Sequence, residues 1–175
     1  MSSHLTPPVS SRDHVQGNKK APLTLVEFGD YQCIYCGHAY PIIKQVQQKM
    51  GNRLKFVFRN FPLSEAHPDA YNAAVAAEAA ALQNKFWEMH DTLYEHQEQL
   101  DWEHLFLYAK TSGLDLERFK ADIEEESVSA RVEADFESGV RSGVNGTPSF
   151  FINEEKYDGD WGGHDLFDAL NRSEK

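Results

Sequence analysis

Cysteine is scarce in this sequence and confined to one place. Of its 175 residues only Cys33 and Cys36 carry a thiol. That excludes a scaffold stapled by several disulfides, and it leaves a zinc site short of ligands unless histidine supplies the rest. Positive charge is scarce too: 17 Lys and Arg stand against 28 Asp and Glu, a formal net charge of −11 with no basic cluster. A nucleic-acid backbone and an anionic membrane both select basic faces, so neither is expected as a partner. No apolar run approaches the ~18 residues of a membrane span. The opening MSSHLTPPVSSRD lacks a positive start followed by an apolar stretch of roughly 7 to 15 residues, so no secretory leader is expected. A cytoplasmic address follows, where stable structural disulfides are uncommon, with a periplasmic one held for a chain trimmed at its start.

What is present suffices for one domain, since 41% hydrophobic content over this length can bury a single core. Residues 1–12, rich in Ser and Pro, read as a flexible tail. APLTLVEFGD, residues 21–30, is a β-branched and aromatic run and reads as a buried strand. From Cys33 to Met50 the spacing turns helical, with Ile42, Ile43 and Val46 on one face and Gly51 beyond the end. RLKFVFRNFP, residues 53–62, alternates Leu54, Phe56 and Phe58 and is closed by Pro62. Strand, helix and strand make a βαβ unit with parallel strands.

Residues 64–142 hold one proline and read as all-helical. Val75, Ala79 and Leu82 form one stripe, and Phe86, Met89 and Leu93 another. Asp101 and Asp115 are placed to cap helices, and Val128, Val132, Phe136 and Val140 recur every fourth residue. Strands return in TPSFFIN, residues 147–153, and KYDGD, residues 156–160, read as a hairpin about Glu154–Glu155, and HDLFDALNR supplies a closing helix. The expected class is α/β: a core from residues 13–62 and 143–175, with residues 63–142 inserted as helices.

Chemistry concentrates in YQCIYCGH, residues 31–38. Cys33 falls where a strand and loop give way to a helix, and backbone N–H groups and the helix dipole stabilise an anion there. Thiols so placed have pKa values lowered from ~8.5 into roughly 3.5 to 7.5, and only the thiolate attacks a disulfide. Cys33 is therefore the expected nucleophile, with Cys36, one turn inward, the thiol that resolves the mixed disulfide. Two other readings compete. A metal site would draw on the eight histidines, but His90 and His96, six positions along a helix, are turned ~600° apart and read as ordinary surface or half-buried polar residues. A structural staple closing so short a loop gains the least entropy. A dithiol beside a βαβ unit favours redox chemistry.

Glu27, inside LTLVEF, is costly to bury without a role. Burial would raise its pKa and let it exchange the proton of Cys36 through water; the plain alternative is a strand-end carboxylate facing solvent. His38 reads as a solvated helix residue, and Trp87, Trp102 and Trp161 read as core or interface anchors.

VNGTPSFFI sets Thr147–Pro148 at the start of a strand, and X–Pro bonds are the kind found cis, usually for a reason; the plain alternative is a strand-opening proline. With VEFGDYQCIYCG and GTPSFFI in one chain, and the helical block between the second and third core strands, the sequence resembles the DsbA-like family of thiol-disulfide oxidoreductases, built on the thioredoxin fold. The resemblance runs from about Asp13 to Asn171 and takes in FRNFPL, KFWEMHDTLYEHQ and FFINEEKYDGDW. It implies that Cys33 attacks, that Cys36 resolves, that Pro148 is a cis-proline facing the dithiol, and that Glu27 is the buried acid. It further implies that the backbone of Thr147 binds an extended substrate by strand addition, with Ile34 and Tyr35 beside that substrate.

The partners so implied are protein or peptide disulfides and dithiols, and a separate redox protein that resets the pair. No metal, flavin or nucleotide cofactor is expected, because electrons pass between sulfurs. The chain departs from the family in having Ile34 where proline most often follows the first cysteine. Ile34 does not pre-set φ, and Ile34–Tyr35 brings no histidine charge to the thiolate, so a potential nearer reductases than strong oxidases is expected. A redox sensor, or a holdase-like module binding peptides in the same groove without turnover, is the competing function. Glutathione transferases also add helices to this fold, but after the core, whereas here strand signals resume.

Overall fold

The structure, a computed structural model, describes residues 3–174. Five strands form one mixed sheet in the order β1-β3-β2-β4-β5: β1 His14–Gly17, β2 Leu23–Gly29, β3 Leu54–Asn60, β4 Ser149–Ile152 and β5 Glu155–Tyr157. The helices are α1 Ile34–Met50, α2 Ala70–Ala81, α3 Phe86–Glu95, α4 Trp102–Thr111, α5 Leu116–Asp122, α6 Glu126–Arg141 and α7 Asp165–Ser173. This is the thioredoxin-like α/β arrangement, with α2 to α6 lying in sequence between β3 and β4.

β2 and β3 run parallel in register from Leu23↔Leu54 to Gly29↔Asn60, as the βαβ pattern requires. β4 lies antiparallel on the other side of β2, with Glu27 opposite Phe150 and Phe28 opposite Ser149. That register brings Thr147–Pro148, just before β4, to the end of the sheet where the chain leaves β2 for α1. Alternation along β2 sends Leu23, Leu25 and Glu27 to one face and Val26 and Phe28 to the other. The first face packs with Phe56, Phe58 and Phe150 against Cys36, Ala39, Ile43 and Val46 of α1 and against the inserted helices. The second packs with Val57, Phe61, Val144 and Phe151. A carboxyl at position 27 is thereby aimed into the core beneath α1.

The structure departs from the sequence reading in five places. The stretch expected as a flexible tail is packed: Leu5 is 4% exposed, its N–H donates to Glu154 O at 2.8 Å, and Thr6 N–H donates to Ser142 Oγ at 2.8 Å. Its prolines preclude regular structure but not contact, and the second sheet face needs Leu5 and Val9 as cover. Residues 1–2 of that stretch lie outside the described residues. β1, antiparallel to β3 with His14 opposite Phe58, is an edge strand too short and polar to show alternation. The hairpin turns at Asn153–Glu154, both with positive φ of 49° and 75°, one residue before the expected Glu154–Glu155, because asparagine tolerates that conformation.

On α6, Phe136 and Val140 are 36% and 57% exposed, and Asp135, Ser138 and Gly139 turn inward instead. The reason is polar: Asp135 Oδ2 accepts from the Asn60 N–H at 2.9 Å, and Ser138 Oγ accepts from Arg59 Nη1 at 2.9 Å. Asp115 caps α5 by accepting from Arg118 N–H at 3.0 Å, whereas the Asp101 carboxylate pairs with His104 Nδ1 at 2.6 Å and caps nothing.

Candidate active site

Cys33 is the N-cap residue of α1, so the free N–H groups of the first turn surround its sulfur. Its position is fixed before any substrate arrives. Its N–H donates to Asp30 O at 3.1 Å, and its carbonyl accepts from Gly37 N–H at 3.1 Å. Gln97, beyond α3, donates through Nε2 to Tyr31 O at 2.9 Å and to Cys33 O at 2.8 Å. Buried Asp30 accepts from Gln32 N–H at 2.7 Å and Leu63 N–H at 2.9 Å, and pairs with His67 Nδ1 at 2.7 Å. These residues hold the loop between β2 and α1, and sequence reasoning missed them. A lone glutamine after a helix carries no signal; Gly37 carries one in hindsight, since a Cβ there would run into the Gln97 side chain.

Both thiols are free and buried. Cys33, 4% exposed, turns its sulfur toward the Thr147 carbonyl at 3.6 Å, and the Thr147–Pro148 peptide is cis. Ile34 and Tyr35 stand out from the same helix end, each 61% exposed. The structure thus brings together Cys33, Cys36, Thr147, Pro148, Ile34 and Tyr35, and it sets Glu27 under them. Glu27 does not face solvent: it is buried, and its Oε2 has no hydrogen-bond partner among the described residues.

The electrostatics separate the two thiols. The Cys36 thiol, donating to Cys33, holds the Cys33 sulfur down from 9.0 to about 5; burial works against this, and the N–H groups of Cys36 and Tyr35 assist. Burial pushes Cys36 well above its ordinary value, helped by the hydrogen bond to Cys33 and by the charges of Glu27 and Cys33. Burial also raises Glu27 to about 8, with the Cys33 charge adding to it. At neutral pH one sulfur is therefore ionised, while its neighbour keeps its proton above a buried carboxyl that keeps its own.

The family model described as Thioredoxin matches residues 10–171. The chain belongs to the thioredoxin family, among its DsbA-like thiol-disulfide oxidoreductases. Two solved structures show the likeness of this DsbA-like chain to known members. A thioredoxin-like oxidoreductase from Silicibacter pomeroyi is 29% identical with a TM-score of 0.84, covering 94% of this chain and 93% of its own. BdbD from Bacillus subtilis, in its oxidised form, is 25% identical with a TM-score of 0.84, covering 98% and 96%. Among curated proteins, the Na(+)/H(+) antiporter NhaA 1 of Mycolicibacterium vanbaalenii is 44% identical over 168 residues, 95% of this chain but 27% of the antiporter. The chain spans about a quarter of the curated relatives it matches.

That last comparison overturns the cytoplasmic address. A segment like this one occurs within proteins named as antiporters, which are membrane proteins, so the make-up of the first residues is no guide to compartment. Among the described residues no helix is long and apolar enough to cross a membrane.

The histidines weighed as metal ligands part company. His96 is exposed and bonded to Thr92 O at 2.8 Å. His90, expected at the surface or half-buried, is buried at 3% exposure, because α3 packs against α2 and α1 and Phe58, Tyr94 and Trp87 set their rings around the imidazole. Among the described residues no group of three His, Cys, Asp or Glu side chains could hold a metal ion. Trp87 anchors the insertion to the edge strand by donating to Val15 O at 3.1 Å.

Proposed function

We propose that this DsbA-like chain exchanges disulfides with protein or peptide substrates, Cys33 attacking and Cys36 resolving. The observation that carries the reading is the opposite displacement of two neighbouring thiols, Cys33 down to about 5 and Cys36 well above its ordinary value. In the reducing direction the Cys33 thiolate attacks a substrate disulfide, a Cys33–substrate bond forms, and one substrate sulfur leaves as thiolate. Glu27, protonated at rest, passes its own proton on as it takes that of Cys36, and Cys36 attacks Cys33 Sγ. The second substrate sulfur leaves, and two electrons have passed from the dithiol to the substrate. Oxidation of a substrate is the same path reversed, and a separate redox partner resets the pair.

An extended peptide is held by main-chain hydrogen bonds at Thr147, beside Pro148, with Ile34 and Tyr35 as its apolar border. A Cys33 value of about 5 lies between the ~7 of thioredoxin and the ~3.5 of strong oxidants. An intermediate potential is the outcome that goes with this value, read by equilibrating the pair in graded glutathione buffers and trapping free thiols. A cleft of about 830 Å³ around Arg59, Glu78 and Arg131 shares no residue with this site.

The test is turnover on an insulin-like disulfide substrate with a thiol reductant. Wild type is expected to cycle, Cys33→Ser to be inactive, and Cys36→Ala to accumulate a mixed disulfide with the substrate at Cys33. A Cys33→Ser protein that still binds unfolded chains as tightly as wild type, together with a wild type that never turns over, would replace the enzyme by a holdase-like module.

A further inference from the structure

Beneath the dithiol lies a small cavity of about 10 Å³, lined by Glu27 of β2, by Tyr40, Lys44 and Gln47 of α1, and by His90 and Tyr94 of α3. Three buried polar atoms of these walls, Glu27 Oε2, His90 Nε2 and Tyr94 Oη, have no hydrogen-bond partner among the described residues. Native proteins leave few buried polar atoms unpaired, and three around one space the size of a single water point to a shared occupant. On its far side His90 Nδ1 meets Asp91 Oδ1 at 2.9 Å. A carboxylate can only accept, so Nδ1 carries the proton and Nε2 presents a lone pair to the cavity. Asp91 is itself half-exposed and receives Lys44 Nζ at 3.2 Å. The elements thus line up from core to solvent: Glu27, cavity, His90, Asp91.

We propose that His90 and Asp91 connect Glu27 to solvent across this cavity, so that the Cys36 proton enters and leaves through α3 rather than past the substrate at Cys33. The proposal rests on the reading of Glu27 as the group that exchanges the Cys36 proton. His90 touches neither thiol and acts through Glu27 as a positioning residue for its proton. When the dithiol is oxidised, Cys36 gives its proton to Glu27, Glu27 gives one through a water to His90 Nε2, and His90 Nδ1 gives one to Asp91, which passes it to solvent. His90 is left protonated on Nε2. When the disulfide is reduced the same steps run backwards, so each full cycle restores the starting tautomer and the relay needs no other reset.

The groups around the imidazole suit this traffic. Tyr31 from the loop after β2 and Tyr40 from α1 set their rings against it, Lys44 faces it from α1 beside Asp91, Tyr94 follows on its own helix, and His14 of β1 acts on it from behind Phe86. Burial holds the His90 pKa down, so the resting ring is neutral and able to accept. Burial pushes Asp91 up, but the hydrogen bond from the His90 ring and the charge and hydrogen bond of Lys44 outweigh it and keep the carboxyl ionised.

The test follows the two thiolate releases when reduced protein meets excess 5,5′-dithiobis(2-nitrobenzoate). The first reports attack by Cys33, and the second reports resolution by Cys36. At neutral pH, His90→Phe and Asp91→Asn are expected to leave the first phase unchanged and to slow the second by roughly tenfold or more. Glu27→Gln should slow the second phase as well, and adding His90→Phe to it should cost nothing further. If Glu27→Gln slows the second phase and neither α3 variant does, the relay is wrong while the role of Glu27 stands. If Glu27→Gln has no effect, that role falls and the relay with it. Equal slowing of both phases, or additive losses in the double variant, would assign His90 to packing alone and overturn the proposal.

Discussion

Cys33 and Glu27 are displaced in opposite senses, and the consequence for stability follows from which state holds the proton. In the reduced folded chain Cys33 loses its proton at about 5 instead of 9.0. Between these values the unfolded chain holds one more proton there, and stability rises with pH, fully gained above 9.0 and lost as pH falls through about 5. Glu27 keeps its proton to about 8 instead of 4.5. Across that span the folded chain holds one more, and stability falls as pH rises. Between about 5 and 8 the two slopes cancel. Glu27→Gln removes only the falling limb. The unfolding free energy of the reduced variant should climb relative to wild type with a slope of up to about 1.4 kcal/mol per pH unit through this window, read from urea transitions. A difference that stayed flat would mean that Glu27 is not held protonated. At this scale the sequence was informative: a carboxylate within an apolar strand and a CxxC at a helix start both announce themselves. The strength of the thiolate was not legible, because its largest support is the Cys36 thiol itself rather than the Ile34–Tyr35 dipeptide that the sequence reading weighed.

Elements with a clean period were readable, and those bent by polar partners were not. β2, β3 and α1 follow their alternation and spacing to within two residues at each end, because each buries an apolar face. α6 does so only in its first half, where Val128 and Val132 are buried; beyond them buried Arg59 and Asn60 on β3 recruit Asp135 and Ser138, and Phe136 and Val140 are left facing outward. The inward face presses Gly139 onto the sheet. A Cβ there would come within 2.5 Å of Phe61 and 3.1 Å of Phe28. Gly139→Ala is therefore expected to destabilise by about 1–3 kcal/mol through overpacking, although alanine is the better helix former by up to ~1 kcal/mol. Urea midpoints decide the sign, and a stabilised variant would show that α6 can lift from the sheet at little cost.

The inserted helices and the strand core share one buried cluster, in which Leu25, Cys36 and Phe58 belong to the same packing as Met89, Leu105 and Val132. The dithiol loop accordingly takes two of its braces, Gln97 and His67, from the segment between β3 and β4. Connections of this kind join residues far apart in sequence through single polar side chains, which no periodicity announces. The N-terminal stretch behaves the same way. Arg59, buried on β3 in an ion pair with Asp13 at 2.8 Å, donates its remaining N–H groups to Pro7 O at 2.9 Å, Pro8 O at 3.3 Å and Ser138 Oγ at 2.9 Å. Removing residues 1–9 would strip two carbonyl acceptors from a buried guanidinium and uncover the sheet face that Leu5 and Val9 protect. Losing the buried leucine costs about 1.5–3 kcal/mol and orphaning the buried donors about 1–3 kcal/mol. The shortened protein should therefore unfold at clearly lower urea, with the Cys33 pKa, followed by thiolate absorbance, unchanged because none of the described residues of the stretch bonds to the dithiol. An unaltered urea midpoint would return the stretch to the status of a loose tail, and a shifted Cys33 pKa would mean that the second sheet face communicates with the site through β2.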